Sequence, residues 1–160
     1  MDYSFIIRRA RVEDAKDVYN ILQKAFKEYA EAANLQNIEA LTETVKDIEN
    51  AIMNEFVFIA TIDHKIVGTV RVDINGNKAY ISRFAVNSEN RNAGVGKAMM
   101  SLVDKYLVSK KVREVSLHTA SRYGDLMRFY YGRGFYVQSV SYDRGYPRAK
   151  MVKEYPDTGK

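Results

Sequence analysis

The chain contains no cysteine. That absence excludes a disulfide-stapled scaffold, a zinc–thiolate centre and an acyl-cysteine intermediate. It suits a reducing compartment, so the expectation is a cytoplasmic protein. Long apolar runs are missing as well. Residues 1–10 hold no stretch of signal-peptide length, and no later segment approaches the roughly 20 apolar residues of a membrane-spanning helix. No membrane partner is expected. The chain also lacks repeats, low-complexity segments and linkers, and its charge is not blocked: 25 Lys and Arg against 20 Asp and Glu give a formal +5 spread along the sequence. Such a mild excess suits an anionic small ligand about as well as nucleic acid. At 160 residues the chain is long enough for one domain with a real core and short for two, so a single domain over 1–160 is expected.

Hydrophobic periodicity supplies the elements. Residues 5–8 read as a short strand, and Val18, Ile21, Leu22, Ala25, Phe26 and Tyr29 mark a helix over 13–29. Residues 34–41 form a loop, and Leu41, Val45, Ile48 and Ile52 mark a second helix capped by Thr42 or Thr44. Strand patterns cover 56–62 and 66–74 around the polar turn 63–65, and Asn75-Gly76 signals a hairpin into a strand over 79–86. His64, at a hairpin tip, reads as solvated. A long third helix contains Val95, Met99, Leu102, Val103 and Leu107; the strand 114–119 after it must then run parallel to the Tyr80 strand. A short helix over 126–132 and strands over 135–141 and 149–153 complete a mixed α/β pattern.

The third helix opens from Asn90-Arg91-Asn92-Ala93-Gly94-Val95-Gly96-Lys97. The first turn of a helix carries backbone N–H groups without internal partners and the positive end of the dipole. Glycines there let a phosphate approach the main chain, and Arg91 and Lys97 add positive charge on either side. The spelling is not that of a P-loop, which needs Gly at Arg91 and Ser or Thr at Ala98, nor of the dinucleotide fingerprint, which needs a small residue at Met99.

With the preceding Phe84-Ala85-Val86 strand end, this unit resembles the acetyl-CoA-binding motif of the GNAT acetyltransferase superfamily, Arg/Gln-x-x-Gly-x-Gly/Ala, met by Arg91, Gly94 and Gly96. A second family motif, Tyr-x-x-x-Gly-Phe, is matched by Tyr130, Gly134 and Phe135. Read alone, that second stretch is equally a packed aromatic helix end closed by a glycine. The resemblance implies a mostly antiparallel sheet of about seven strands with about four flanking helices and a splayed parallel pair at its centre. It implies an N-acetyltransferase that moves an acetyl group from acetyl-CoA directly to an amine of a small molecule or peptide, without a metal. By the resemblance, the backbone of Phe84, Ala85 and Val86 pairs with the pantetheine arm and the loop Arg91, Asn92, Ala93, Gly94, Val95, Gly96 and Lys97 holds the pyrophosphate. Tyr130 gives its proton to the departing thiolate, or hydrogen-bonds it. A homodimer is compatible with the family.

The chain departs from the family pattern at two places. The asparagine often found seven residues before the catalytic tyrosine is Tyr123 here, with Ser121 as the nearest substitute. The carboxylate that some members carry on the fourth strand as a base is absent, with Tyr80, Ser82 and Arg83 in that region. His118 has a suitable pKa for the task, although a strand histidine facing a helix explains it as well, and a base acting through water or none at all stays open. For the acceptor, Glu28 and Glu31 near the end of the first helix and Tyr142, Asp143, Arg144 and Tyr146 are expected to converge, with Arg144 either holding a substrate carboxylate or solvated. The implied acceptor is a small zwitterion or a peptide end. Two other functions compete: a catalytically silent CoA-binding module, and nucleic-acid binding through the basic and aromatic segment 142–153. The acids at the edges of that segment, Asp143 and Glu154, disfavour the second.

Overall fold

In the strand β2 (Phe56–Ile62) every residue from Val57 to Ala60 is buried. Val57 and Ile59 point to one face of the sheet and Phe58 and Ala60 to the other, so both faces must be covered by helices. A computed structural model describes residues 4–157 and shows how; the ends of the expected domain, 1–3 and 158–160, lie outside the described residues. The other strands are β1 (Ile6–Arg9), β3 (Lys65–Asn75), β4 (Lys78–Val86), β5 (Glu114–Ala120), β6 (Tyr136–Ser141) and β7 (Arg148–Glu154). The helices are α1 (Ala15–Ala33), α2 (Val45–Asn54), α3 (Val95–Ser109) and α4 (Gly124–Gly132), with 3₁₀ turns at Val12–Asp14, Glu39–Thr42 and Ser88–Ala93. The seven strands lie in the order β1-β2-β3-β4-β5-β7-β6, antiparallel except for the parallel β4–β5 pair. Val18 and Leu22 of α1 and Ile48 and Ile52 of α2 bury against Val57 and Ile59. Met99, Val103 and Leu107 of α3 bury against Phe58, Val70 and Val72 on the other face.

Element boundaries differ from the sequence reading where a side chain intervenes. Glu13 and Asp14 belong to a 3₁₀ turn rather than to α1, because the Asp14 carboxylate accepts the Arg11 N–H at 2.7 Å and two bonds from Arg8 at 2.8 and 3.1 Å. At its far end α1 runs past Tyr29 to Ala33 and stops at Asn34, which takes the left-handed conformation at φ 53°. Leu41 falls in a 3₁₀ turn, since the cap is Thr44: its Oγ1 accepts from Asp47 N at 3.2 Å while Asp47 Oδ2 accepts from Thr44 N at 2.9 Å.

The feature that builds the site is a bulge in β4. Thr69 pairs with Ala85 but Arg71 with Ser82, so β4 holds one residue more than β3 across this interval. Arg83 absorbs it at φ 52°. The phase of the strand then slips by one. Ala79 and Ile81 pack on the α3 face before the bulge, and Phe84 and Val86 do so after it. Arg83 is left on the opposite face, where its Nε donates to Glu43 Oε1 at 3.1 Å. The parallel pairing of β4 with β5 covers only Lys78–Tyr80 against Glu114–Ser116. Past that point the two strands no longer hydrogen-bond each other, and a wedge opens between them.

Candidate active site

The wedge leads into a cavity of about 310 Å³ lined by β4 from Tyr80 to Val86, β5 from Leu117 to Ala120, and parts of α1, α3 and α4. The Phe84–Val86 backbone and Gly96 border it together, as does the Arg91 side chain. Gly94 precedes α3 in the left-handed conformation at φ 80°, and no side chain caps the helix. The positive end of α3 and its first N–H groups are thus left to whatever approaches from the loop side. A Cβ on Gly94 would meet nothing within 4 Å, whereas one on Gly96 would lie 3.3 Å from the Phe84 ring and 3.6 Å from Phe129. Gly94 is therefore required by its φ, and Gly96 by close packing beneath the loop.

The Arg91 side chain is engaged by other elements of the fold. Its Nη2 pairs with Glu28 Oε2 at 3.2 Å and its Nε donates to Val86 O at 3.3 Å, tying the loop back to α1 and β4. Asn92 and Lys97 are exposed, Ala93 is half-buried and Val95 is buried in the α3 core.

Tyr130 sits in an aromatic cluster with Phe84, Phe129 and Phe135, with ring centroids 5.5–6.3 Å from its own. It is buried yet borders the cavity. Burial raises its phenol pKa well above the ordinary value, with Tyr29 and Tyr80 adding to the effect. The hydroxyl therefore holds its proton throughout the physiological range.

On the opposite wall Tyr80 and His118 face each other across the wedge, the Tyr80 hydroxyl 2.7 Å from His118 Nδ1. Burial lowers the His118 pKa, and the positive charges of Arg148, Lys150 and Arg144 lower it further against Asp143. The imidazole is thus neutral near pH 7. Tyr29 of α1 accepts the Ala120 N–H at 2.7 Å, satisfying a β5 group that the splayed strands cannot pair. Tyr123, where the asparagine was expected, lines the cavity and stacks on Tyr29 with centroids 5.4 Å apart. Ser121 is not among the lining residues, and its hydroxyl and N–H both donate to Pro147 O, at 3.3 and 3.0 Å.

The expected acceptor residues are brought together only in part. Arg144 and Tyr146 line the cavity, whereas Glu28 faces Arg91 on the loop side; the acid on the lining is Glu39, which pairs with Arg144 at 2.8 Å. Arg148 and Tyr29 also line it; the sequence offered Tyr29 only as part of the α1 stripe and Arg148 only within the basic 142–153 segment, because what faces the cavity depends on how α1 and β7 pack.

The splayed parallel strand pair, the uncapped glycine-opened helix and the buried Tyr130 thus all border one cavity. The profile of the acetyltransferase (GNAT) family matches residues 15–135, and the chain belongs to that family. Its members transfer an acetyl group from acetyl-CoA to an amine, and this chain is an N-acetyltransferase of that kind. Among relatives, a spermidine N(1)-acetyltransferase of Thermoplasma acidophilum is 25% identical over 150 residues, covering 86% of this chain and 91% of its own. The fold is shared with the crystal structure of PaiA N-acetyltransferase from the same organism in complex with coenzyme A, at a TM-score of 0.84 and 21% identity over 95% of this chain and 99% of that one. It is shared too with the ribosomal-protein-S18-alanine N-acetyltransferase of Escherichia coli, at a TM-score of 0.75 and 16% identity over 98% and 97%. Among the described residues no group of His, Cys, Asp or Glu is arranged to hold a metal ion, and no helix is long and apolar enough to cross a membrane.

Proposed function

We propose that acetyl-CoA lies in the β4–β5 wedge, with the backbone of Phe84, Ala85 and Val86 pairing with its pantetheine arm. The loop Arg91, Asn92, Ala93, Gly94, Val95, Gly96 and Lys97 takes its pyrophosphate at the start of α3. The observation that carries this reading is the uncapped α3 terminus beside a strand whose ladder to β5 ends at Tyr80. Free N–H groups in a row and a free strand edge suit a long arm with an anionic end. Arg91 then binds a phosphate by exchanging it for Glu28.

When bound, acetyl-CoA supplies an activated thioester carbonyl and a thiol leaving group. Tyr130 keeps its proton at the phenolic oxygen and hydrogen-bonds the departing sulfur. An acid weakened by burial is still effective there, since the same dry surroundings make a thiolate more basic. On the acceptor side Tyr80 takes a proton from the amine as it passes its own to Nδ1 of neutral His118. An amine that has begun to bond to carbonyl carbon releases its proton readily, so a weakly basic imidazole suffices.

The acceptor is an amine of a small molecule or peptide, and the Thermoplasma relative's name brings polyamines among those to test. One domain spanning the chain, a cytoplasmic setting consistent with the lack of cysteine, and no membrane or nucleic-acid partner belong to the same reading. Against a nucleic-acid surface, Arg144 and Arg148 of the basic 142–153 segment line the cavity and Lys153 is paired with Asp104. A homodimer is compatible with it. Tyr130→Phe tests the catalytic assignment: kcat should fall about 10²- to 10⁴-fold while the affinity for acetyl-CoA, measured by calorimetry, is nearly kept. Wild-type turnover in that variant would move the acid elsewhere.

A further inference from the structure

Four arginines, Arg83, Arg91, Arg144 and Arg148, and one carboxylate, Glu39, supply the charged lining of the cavity. Three of those guanidiniums are well matched. Arg91 pairs with Glu28 at 3.2 Å, Arg144 with Glu39 at 2.8 Å and Arg83 with Glu43 at 3.1 Å. Arg148 differs. Its side chain is only 12% exposed, and its ion pair, with Asp143 Oδ1, is 3.8 Å long, beyond hydrogen-bond reach. Asp143 is itself 63% exposed and accepts a hydrogen bond from Ser141 at 2.9 Å. A guanidinium withdrawn from water this far and so weakly paired is costly to bury, and a second, well-placed carboxylate offsets that cost.

Register fixes where Arg148 points. It lies opposite Ala120, two positions along the strand from His118, which lies opposite Lys150. Opposed residues of an antiparallel pair share a face, so Arg148 stands beside His118 on the acceptor wall. The depressed His118 and the influence of Arg148 on Tyr29 and Tyr80 agree with this placement.

Resting on the acetyltransferase reading above, we infer that the acceptor is a primary amine that also carries a carboxylate, of amino-acid size, and that Arg148 binds that carboxylate while the amine faces Tyr80 and His118. A guanidinium can take a carboxylate with two parallel bonds, which fixes the orientation of the amine as well as holding the molecule. A polyamine brings only cations to a wall that already carries an excess of them.

The test compares matched acceptors differing only in the carboxylate: lysine with cadaverine and ornithine with putrescine, with spermidine, glycine and β-alanine alongside, each followed by thiol release from acetyl-CoA. The carboxylated member of a pair should be used with a kcat/KM at least about 10-fold higher. In Arg148→Gln the KM for that acceptor should rise about 10- to 100-fold and the preference within the pair should vanish, with the KM for acetyl-CoA unchanged. Arg148→Lys should recover part of the loss. Equal or better use of the decarboxylated amines by the unaltered enzyme overturns the inference without any variant, and so does acetyl-CoA binding with no turnover of any amino acid in the panel. Failure to bind acetyl-CoA in calorimetry would instead overturn the reading of the wedge.

Discussion

At the scale of single residues, the fold sets opposite conditions on two cavity groups, the buried Tyr130 and the half-buried His118. Tyr130 is surrounded by rings that hold its proton on; His118 has cations around it that disfavour an extra proton. Because burial and neighbouring positive charge depress the His118 pKa below the usual 6.5, the fold favours its neutral form. Stability and activity linked to this group are present above 6.5 and are lost as the pH falls from there through the folded-state value. We therefore expect kcat/KM to show an acid limb with a midpoint below 6.5. In His118→Gln the limb should disappear and the plateau should drop about 10- to 100-fold. An acid limb that persists unchanged in that variant would assign it to another group. At this scale the sequence singled out Gly94, Gly96 and Tyr130 through short motifs, although Phe84 and Phe129 around Gly96 and Phe84 beside Tyr130 come from elsewhere in the chain. It gave no sign of the Tyr80 hydroxyl on His118, a contact between residues 38 apart.

At the scale of elements, the bulged β4 is held in place by charge. Glu43, at the end of the loop that follows α1, accepts two bonds from Arg71 on β3 and one from Arg83 at the bulge. This fastens the loop that carries Glu39 over the acceptor wall. Burial pushes the Glu43 carboxyl up, but bonds to Arg71 and the charges of both arginines outweigh it and hold the group below its ordinary value. The Arg71 side chain is 9% exposed, so losing the shared carboxylate leaves a positive charge poorly compensated. Glu43→Gln should destabilise the protein by about 1–3 kcal/mol, less than a fully buried pair because Glu43 keeps partial access to water. The sign with pH follows: a depressed carboxylate stabilises above its unfolded value and loses that contribution as pH falls through its folded value. The difference in Tm between Glu43→Gln and the parent should accordingly shrink on acidification. A difference that stays constant down to strongly acid pH would mean that packing, not charge, carries the effect. Glu43 and Arg71 lie 28 positions apart in the chain, and no periodicity or motif links them.

At the scale of the whole molecule, both helical layers share one sheet. The same strand β2 sends Val57 and Ile59 to the α1–α2 layer and Phe58 and Ala60 to the α3 layer. Leu22 on one side and Met99 on the other are almost wholly buried. Leu22→Ala and Met99→Ala should each cost about 2–5 kcal/mol, as large-to-small changes in a packed core do. Since neither layer can detach without exposing β2, each variant should still unfold in one transition, with far-ultraviolet and near-ultraviolet dichroism coinciding. Two separated transitions in either variant would divide the chain into independent units and refute the single-domain proposal. What the sequence by itself determined is whatever depends on near neighbours: the helix periods, the hairpin at Asn75-Gly76, the seven-strand pattern with one parallel crossover, and the glycine-opened α3. These follow from backbone sterics, local hydrogen bonds and the alternation of apolar residues, all acting over a few positions. Only the tertiary structure decided that Arg144 is neutralised by Glu39, that Glu28 turns to Arg91, and that Arg148 enters the acceptor wall with a weak partner. A charged side chain is distinguished by what it meets after folding, and strand order brings those partners from distant parts of the chain.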